Sequence, residues 1–478
     1  MQENKLSVGT CLVEDFFNYD ATVSLPDYQR PYVWDFSKLE QLYKDIEDHF
    51  FTDKGYNEGA PLYYLGSVLL YEKDKNTFEV IDGQQRITTL LLTDYAWNQA
   101  ESFLEKGYWN LQYNSLLSSV NLKQNFLYIK STSFYIKQHI QNIFSKLVFT
   151  VIITNSEDEA FTFFDSQNAR GVSLSAVDFL KSYHLRELKG EEKLQEVFAK
   201  KWDSNNTGQF LNELFNLMLW RSRQWKGKNL YFEYKDAILD NFQKQTIKEK
   251  NGETINLYPN VFNALSSSLT FSHKQGVVVQ PNPLSLQTTA EQYPFALRQP
   301  IQRGIGFFLY AEKYFAIYQV LFVEKRYHKF NDVYETLYNG VSYYFNTFFK
   351  LAVISYYDKF KDNKLIEFAL WLDYLLGSYR INQHTIVAQT VIKILRDNNQ
   401  NLLDVIEMSY RPDDVFDFLK QITRDEFYHK KRSELGGENG VRITYLKNNL
   451  SLFNNVRNNE EQLNNKKNWI NAFLINNT

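Results

Sequence analysis

The chain has 478 residues, of which 44% are hydrophobic and 17% aromatic. This length suits roughly two to four domains, and the composition is too rich in core-forming side chains for intrinsic disorder. The 53 Lys and Arg against 56 Asp and Glu give a net charge of -3, which argues against binding nucleic acid by overall charge and leaves room for a local basic groove.

The single cysteine, Cys11, excludes an intramolecular disulfide and an all-cysteine zinc site. Such cysteine usage is typical of the reducing cytoplasm. No run of about 18 apolar residues occurs, so we expect neither a signal peptide nor a membrane-spanning helix. We therefore predict a cytoplasmic protein without membrane contacts.

The first 190 residues alternate between strand and helix patterns. Ser37 to Glu40 fits a capping box and predicts a helix over about 38–50. Two β-type runs, Leu62 to Tyr71 and Thr77 to Ile81, predict a hairpin, and the second run leads through Asp82-Gly83-Gln84-Gln85-Arg86 into an apolar helix.

Leu147 to Thr154 is rich in β-branched residues and predicts a further strand. Capping patterns at Ser156 to Glu159 and at Ser175 to Asp178 predict two more helix starts.

Beyond residue 190 the pattern is almost entirely helical, and prolines at 281, 283, 294 and 300 predict a long loop or subdomain joint near 274–304. The Asn-rich stretch from about 448 keeps an apolar period and predicts a helix with polar outer faces. The predicted organisation is α+β, with an α/β domain over 1–190 and a large all-α region over 191–478.

The strand, loop and helix around Asp82 to Arg86 form the most informative pattern. A helix N-terminus offers free backbone N–H groups to an anion such as phosphate. Gly83 permits close approach, Arg86 offers a fork of donors, and Asp82 could hold Mg²⁺. Gln84 and Gln85 add neutral donors. The alternative is a tight turn in which Asp82 caps the helix and Arg86 is solvated.

Four segments follow one another along the chain: YQRPYVW at Tyr28 to Trp34, LGSVLL at Leu65 to Leu70, IDGQQRITTLLL from Ile81, and FFDSQNARGVSLSAVDFLKSYHL from Phe163. Their order and spacing resemble the N-terminal domain of GmrSD-like modification-dependent restriction proteins. Together they cover about the first 190 residues, and the chain is most similar to the GmrS-like part of that family.

This resemblance implies a ParB/sulfiredoxin-like fold that binds and hydrolyses a nucleoside triphosphate (NTP) with Mg²⁺, followed by a helical region. It also implies a role in defence against foreign, modified DNA. The DGQQR motif, Asp82 to Arg86, would carry the reaction, with Asp82 as the metal ligand. The nucleotide's base, the DNA modification and the oligomeric state stay open.

Further residues join this site through the resemblance. Tyr28, Gln29 and Arg30 precede a proline on a rigid loop, where they could contact phosphate or base, although a purely structural turn is the alternative. Asn168 and Arg170 lie at a predicted helix end. Asp178, with Lys181 one turn later, would complete the polar site, although Asp178 could serve only as a helix cap.

Many members of the family use an HNH-type nuclease domain marked by His-x-x-Pro. None of the seven histidines here has a proline three residues later. We therefore expect the nuclease to reside on a separate polypeptide, with this chain as an NTPase subunit that also contacts DNA. A nucleotide-sensing DNA-binding switch without useful hydrolysis is the first alternative, and a nuclease in its own right is the second.

Overall fold

The computed structural model describes residues 6–26, 29, 31–113, 115–131, 135–156, 159–160, 175–188, 191–205, 210–248, 267–272, 276–281, 289–338, 342–437, 440–458 and 460–477. The chain divides into two compact units, an N-terminal unit over Met1–Leu211 and a C-terminal unit over Asn212–Thr478. The N-terminal unit is mixed α/β and the C-terminal unit is mainly helical, as the sequence predicts for the two parts of the chain.

A six-stranded mixed sheet forms the centre of the N-terminal unit, in the order β1-β8-β5-β6-β2-β7. A separate pair, β3 with β4, lies outside it. The strands are β1 Leu6–Leu12, β2 Thr22–Ser24, β3 Phe51–Thr52, β4 Gly55–Tyr56, β5 Tyr63–Asp74, β6 Thr77–Asp82, β7 Trp109–Asn110 and β8 Leu147–Thr154. The predicted hairpin is confirmed as β5 and β6, and the predicted strand at 147–154 is confirmed as β8.

Three neighbouring strands, β6, β2 and β7, run parallel to one another. Their carboxyl ends, at Asp82, Ser24 and Asn110, therefore meet at one edge of the sheet. β5 runs antiparallel to β6, with Leu69 opposite Asp82, so the residues before Leu69 extend past the end of β6. The predicted polar loop after β6 thus lies at this carboxyl edge.

Helices of the N-terminal unit cover the sheet and pack against one another. For example, Tyr43 of α2 shares a hydrogen bond of 2.6 Å with Thr93 of α3. The helices are α1 Val13–Asn18, α2 Phe36–Phe50, α3 Gln84–Asn98, α4 Leu116–Ser131, α5 Ile140–Phe144, α6 Ala176–Arg186 and α7 Glu192–Asn205. Short 3-10 turns cover Gln99–Glu101, Phe103–Lys106 and Tyr135–His139.

The predicted capping box of α2 is wrong. The cap is Asp35, whose carboxylate accepts a hydrogen bond of 3.2 Å from the backbone N–H of Lys38, and Ser37 lies inside the helix. Asp is as good an N-cap as Ser, and starting the helix at Phe36 keeps Leu39, Leu42, Tyr43, Ile46 and Phe50 on its buried face.

The helices of the C-terminal unit are α8 Phe210–Glu213, α9 Arg221–Gln224, α10 Lys235–Leu239, α11 Ile305–Tyr318, α12 His328–Leu337, α13 Tyr343–Phe360, α14 Leu365–Asn382, α15 Ala388–Arg396, α16 Leu402–Met408, α17 Pro412–Ile422, α18 Val441–Leu452 and α19 Lys466–Asn477. π-helical turns cover Leu214–Trp220, Asp240–Lys244 and Gln319–Val323, and 3-10 turns cover Ala290–Gln292, Asp425–His429, Arg432–Leu435 and Leu463–Asn465.

The sequence predicted an all-α C-terminal region, and this prediction is wrong in one respect, because the C-terminal unit also contains two strands. β9 Ser267–Ser272 and β10 Gly276–Pro281 form an antiparallel hairpin, and β10 occupies part of the predicted loop over 274–304. The prolines suggested a loop, whereas the β-branched run at 277–279 favours a strand. Pro281 is the last residue of β10, where proline disturbs a two-stranded ladder least.

A buried polar cluster ties α19 to the centre of the C-terminal unit. Asp373 on α14 and Lys466 on α19 form an ion pair in which both side chains are fully buried. Tyr338 and Tyr445 donate hydrogen bonds of 2.9 and 3.0 Å to Asp373 Oδ1. Burying a charged pair is tolerated where further hydrogen bonds satisfy it, and these hydroxyls do so.

Among the described helices, none is both long and apolar enough to cross a membrane.

Candidate functional site

The turn between β6 and α3 places an uncapped helix N-terminus at the carboxyl edge of the sheet. Gly83 is the N-cap, with a left-handed φ of 92°, and no side chain caps the helix. A Cβ on Gly83 would lie 3.0 Å from Val68 Cγ2, so both φ and the close packing on β5 favour glycine. The first backbone N–H groups of α3 have no carbonyl acceptor within the helix, so they are the donors that a phosphate at this turn would meet.

Asp82 is the last residue of β6 and does not cap α3, which excludes the capping alternative. Its side chain is half-buried, and no described residue donates a hydrogen bond to its carboxylate. One carboxylate thus stands at the start of α3, where it can act on a bound ligand.

Arg86 is held by the sheet instead of pointing freely to solvent. Its guanidinium donates hydrogen bonds to the carbonyl oxygens of Leu65 and Ser67, the latter at 2.7 Å. Between them lies Gly66, at φ 102°, where a Cβ would collide with Arg86 Nη1. Burial lowers the pKa of Arg86, and the nearby Asp82 carboxylate opposes that shift. The alternative of a solvated Arg86 is therefore wrong.

Gln29 continues the hydrogen bonding of β6 beyond the end of β2. β2 stops at Ser24, opposite Glu79, and the Gln29 side-chain amide then donates bonds of 2.8 and 2.7 Å to the carbonyls of Val80 and Ile81. Gln29 is buried. It fixes the loop after β2 to the strand that ends at Asp82.

Gln85 fixes the following part of the same loop. Its Oε1 accepts hydrogen bonds from the backbone N–H groups of Val33 and Trp34, at 2.9 and 3.2 Å, and its Nε2 donates to the carbonyl of Pro31 at 3.0 Å. The predicted YQRPYVW and DGQQR motifs are thus parts of one structure, because Gln85 satisfies the backbone of the first motif and Gln29 satisfies the end of the strand that leads into the second.

Tyr32 anchors this loop in the core, where its side chain is fully buried. Its hydroxyl lies 2.8 Å from Thr89 Oγ1 on α3 and accepts a bond of 3.1 Å from Asn125 on α4. Its backbone N–H donates to Ser118 Oγ at 2.8 Å. The loop is therefore held by two helices as well as by the sheet.

Lys181 reaches the same loop from α6. Its Nζ donates to the carbonyl of Gln29 at 3.2 Å and forms an ion pair with Asp203 on α7 at 2.9 Å. Sequence analysis missed Asp203, because nothing local marks it as the partner of a lysine 22 residues away. Lys181 is thus a positioning group that balances its charge within the protein.

Asp178 closes the predicted capping box of α6. The Ser175 side chain accepts from the Asp178 N–H, and the Asp178 carboxylate accepts from the Ser175 N–H at 3.0 Å. Gln84 is buried at the start of α3. Tyr28, Arg30, Asn168 and Arg170 lie outside the described residues.

The described residues fit Mg²⁺ only in a limited way. Nowhere in the described part of the chain do three or more His, Cys, Asp or Glu side chains gather as a metal site. Mg²⁺ is often held by one or two carboxylates together with substrate phosphates. Asp82 can supply one such carboxylate, and the phosphates of a nucleotide would have to supply the rest.

Comparison with known families agrees with this arrangement. Residues 13–185 match the model of the GmrSD restriction endonuclease, N-terminal domain. That range contains β6, the Asp82 to Arg86 turn, the loop after β2 and Lys181, so the site lies within the part of the chain that is similar to this restriction endonuclease domain. The predicted resemblance to GmrSD-like restriction proteins is confirmed at this level.

Residues 194–434 match the model of a family of unknown function, DUF7834, over half of the chain. The chain belongs to that family. No curated protein matches the chain.

Proposed function

We propose that the chain is the NTP-binding and NTP-hydrolysing subunit of a phage-restriction system. In this proposal it responds to foreign, modified DNA and controls a partner HNH-type nuclease. The observation that carries it is the uncapped N-terminus of α3 beside Asp82, in a domain of the restriction class. We infer the DNA and the partner nuclease from the class of system, and the nucleotide from the geometry at the start of α3.

The chemistry follows from what phosphoryl transfer needs, which is positioning, charge neutralisation and an oriented water. The N–H groups of α3 would bind phosphate oxygens, because a helix N-terminus carries a partial positive charge. Mg²⁺, when bound through Asp82, would neutralise developing negative charge. These interactions need no covalent step by the protein.

The two glutamines take different roles in this proposal. Gln85 uses both of its polar atoms on the backbone of Pro31 to Trp34, so it positions the loop. We assign the orientation of the attacking water to Gln84, which stands one residue closer to Gly83.

A second candidate is a nucleotide-sensing switch that binds NTP without useful hydrolysis. The state of Arg86 favours it, because the guanidinium is already engaged by two carbonyls of β5. An arginine that stabilises the charge of the transition state would have to reach it with its other N–H groups, from a guanidinium that is fixed on β5. Ligand binding would then couple Arg86 to the conformation of β5 around Gly66.

Phosphate release from Mg²⁺-NTP by the purified chain separates these candidates. We expect release by the wild type and by Asp53→Asn, a control at an exposed aspartate in the β3–β4 turn. We expect weak release by Asp82→Asn even at high Mg²⁺, with thermal stability near that of the wild type, because no described residue donates a hydrogen bond to the Asp82 carboxylate. NTP binding without release would support the switch, and neither binding nor release would reject both candidates.

A further inference from the structure

A small polar cavity of about 140 Å³ lies at the carboxyl ends of β2 and β7, within the N-terminal unit. Its walls come from the loop after β2, from the segment Asn110 to Ser115, and from α7. The hydrogen bonds that Gln29 and Gln85 make to the backbone do not explain why this cavity is present. Its position beside the proposed phosphate site raises the question of what it binds.

Two well-buried polar side chains line the cavity with unused hydrogen-bonding capacity. Gln29 is 7% exposed and Ser115 is 3% exposed. Gln29 spends its Nε2 on two backbone carbonyls, and no described residue donates to its Oε1. Ser115 Oγ likewise has no hydrogen-bond partner among the described residues. Because the described part of the chain uses neither oxygen, both can bond with a ligand or with water in the cavity.

The charges at the cavity favour a neutral ligand. Asp203 is neutralised by Lys181 at 2.9 Å, and Glu196 on the rim pairs with Lys200. An additional anion would meet two carboxylates, and an additional cation would meet two ammonium groups. Uncharged amides at Asn110 and Gln112 complete the polar lining.

The remaining lining suits a flat ring. Pro26, Pro31 and Tyr113, whose side chains are rings with apolar faces, also line the cavity. A heterocycle with N–H groups on its edge can pack against such faces while donating to Gln29 Oε1 and bonding with Ser115 Oγ. Nucleobases have this chemistry, since each offers donors and acceptors on one edge and an apolar face.

The distance to the proposed phosphate site also fits a nucleotide. β6, β2 and β7 are adjacent and parallel, and neighbouring strands lie about 4.8 Å apart. β2 ends opposite Glu79, three residues before Asp82, so at about 3.3 Å per residue and 4.8 Å per strand the end of β2 lies roughly 11 Å, and the end of β7 roughly 14 Å, from the end of β6. Parallel strands commonly bind nucleotides across their carboxyl ends.

We propose that this cavity binds the base of the NTP whose phosphates bind at the start of α3. The inference rests on the proposed function, because it takes the phosphate site as given. It adds a prediction that the function alone does not make: affinity depends on the base and on residues of the β2–β7 cavity.

Titration calorimetry of the whole chain with Mg²⁺ and each of the four NTPs, and with inorganic tripolyphosphate, tests this directly. We expect the best NTP to bind at least about tenfold more tightly than tripolyphosphate. Ser115→Ala and Gln112→Ala should each weaken that NTP about five- to tenfold by losing a hydrogen bond. Neither should change the affinity for tripolyphosphate.

Ser119→Ala is the matched control, because Ser119 lies one turn later on α4 and does not line the cavity. Gln112 is exposed, so its variant keeps the test valid even if Ser115→Ala folds poorly. Equal affinity for NTP and tripolyphosphate, unaffected by these variants, would overturn the base site and leave the phosphate site standing. Absence of binding by any probe would overturn both.

Discussion

Lys181 and Asp203 form a buried ion pair at 2.9 Å, with side chains 3% and 7% exposed, directly beneath the loop that carries Gln29. The lysine also donates to the Gln29 carbonyl. One charge pair therefore connects α6 and α7 to the loop that borders both the proposed phosphate site and the base cavity. The contribution of this ion pair to the stability of the N-terminal unit can be measured separately from catalysis.

Removing one partner of this pair should destabilise the N-terminal unit strongly. Asp203→Ala leaves the Lys181 ammonium buried without a counter-charge, which costs about 3–5 kcal/mol in comparable pairs. The double variant Lys181→Met with Asp203→Leu should recover much of this loss, because it removes both charges. Denaturant unfolding measures the change in the free energy of unfolding. Lys200→Ala, in an exposed pair with Glu196, is the control. Equal stability of Asp203→Ala and wild type would contradict the prediction.

Gly66 should be intolerant of alanine although it lies within a strand. Its φ of 102° is unfavourable for a side chain, and the new Cβ would displace the Arg86 guanidinium. We expect Gly66→Ala to lose roughly 1–3 kcal/mol of unfolding free energy.

Gly9 in β1 provides the matched control, because a Cβ there meets nothing within 4 Å. Gly9→Ala should be neutral or slightly stabilising, since it restricts the unfolded chain. Similar unfolding midpoints for the two variants would show that β5 does not depend on the contact with Arg86.

Local patterns were enough to predict the β5–β6 hairpin, the Gly83 turn and the start of α6, because neighbouring residues determine each. The bonds of Gln29 to β6 and of Gln85 to Pro31 bridge more than 50 residues. No local period encodes such contacts. Asp203 was missed for the same reason. The hairpin of β9 and β10 did have a local signal, in the valines at 277–279, which the neighbouring prolines obscured.

Arg86→Ala should lose both stability and phosphate release. The stability falls because the Leu65 and Ser67 carbonyls lose their donors, at a cost of about 1–3 kcal/mol. The loss of transition-state stabilisation should be about 2–4 kcal/mol if Arg86 contacts phosphate.

Arg86→Lys distinguishes the two roles of this side chain. It keeps the positive charge but not the planar fork that reaches two acceptors. We expect Arg86→Lys to bind NTP with lowered thermal stability. A folded Arg86→Ala that releases phosphate at the wild-type rate would exclude this turn as the catalytic site.

The 478-residue chain alone should not cleave DNA, because the sequence has no His-x-x-Pro segment and HNH chemistry requires a histidine beside metal ligands. We expect weak DNA binding with strong salt dependence, and cleavage only after an HNH-bearing partner is added. Unmodified and base-modified phage DNA should be incubated with the chain, the partner and both, with and without NTP. Asp82→Asn should remove the NTP response of the pair. Mg²⁺-dependent cutting by the chain alone, abolished by Asp82→Asn, would instead establish it as the nuclease.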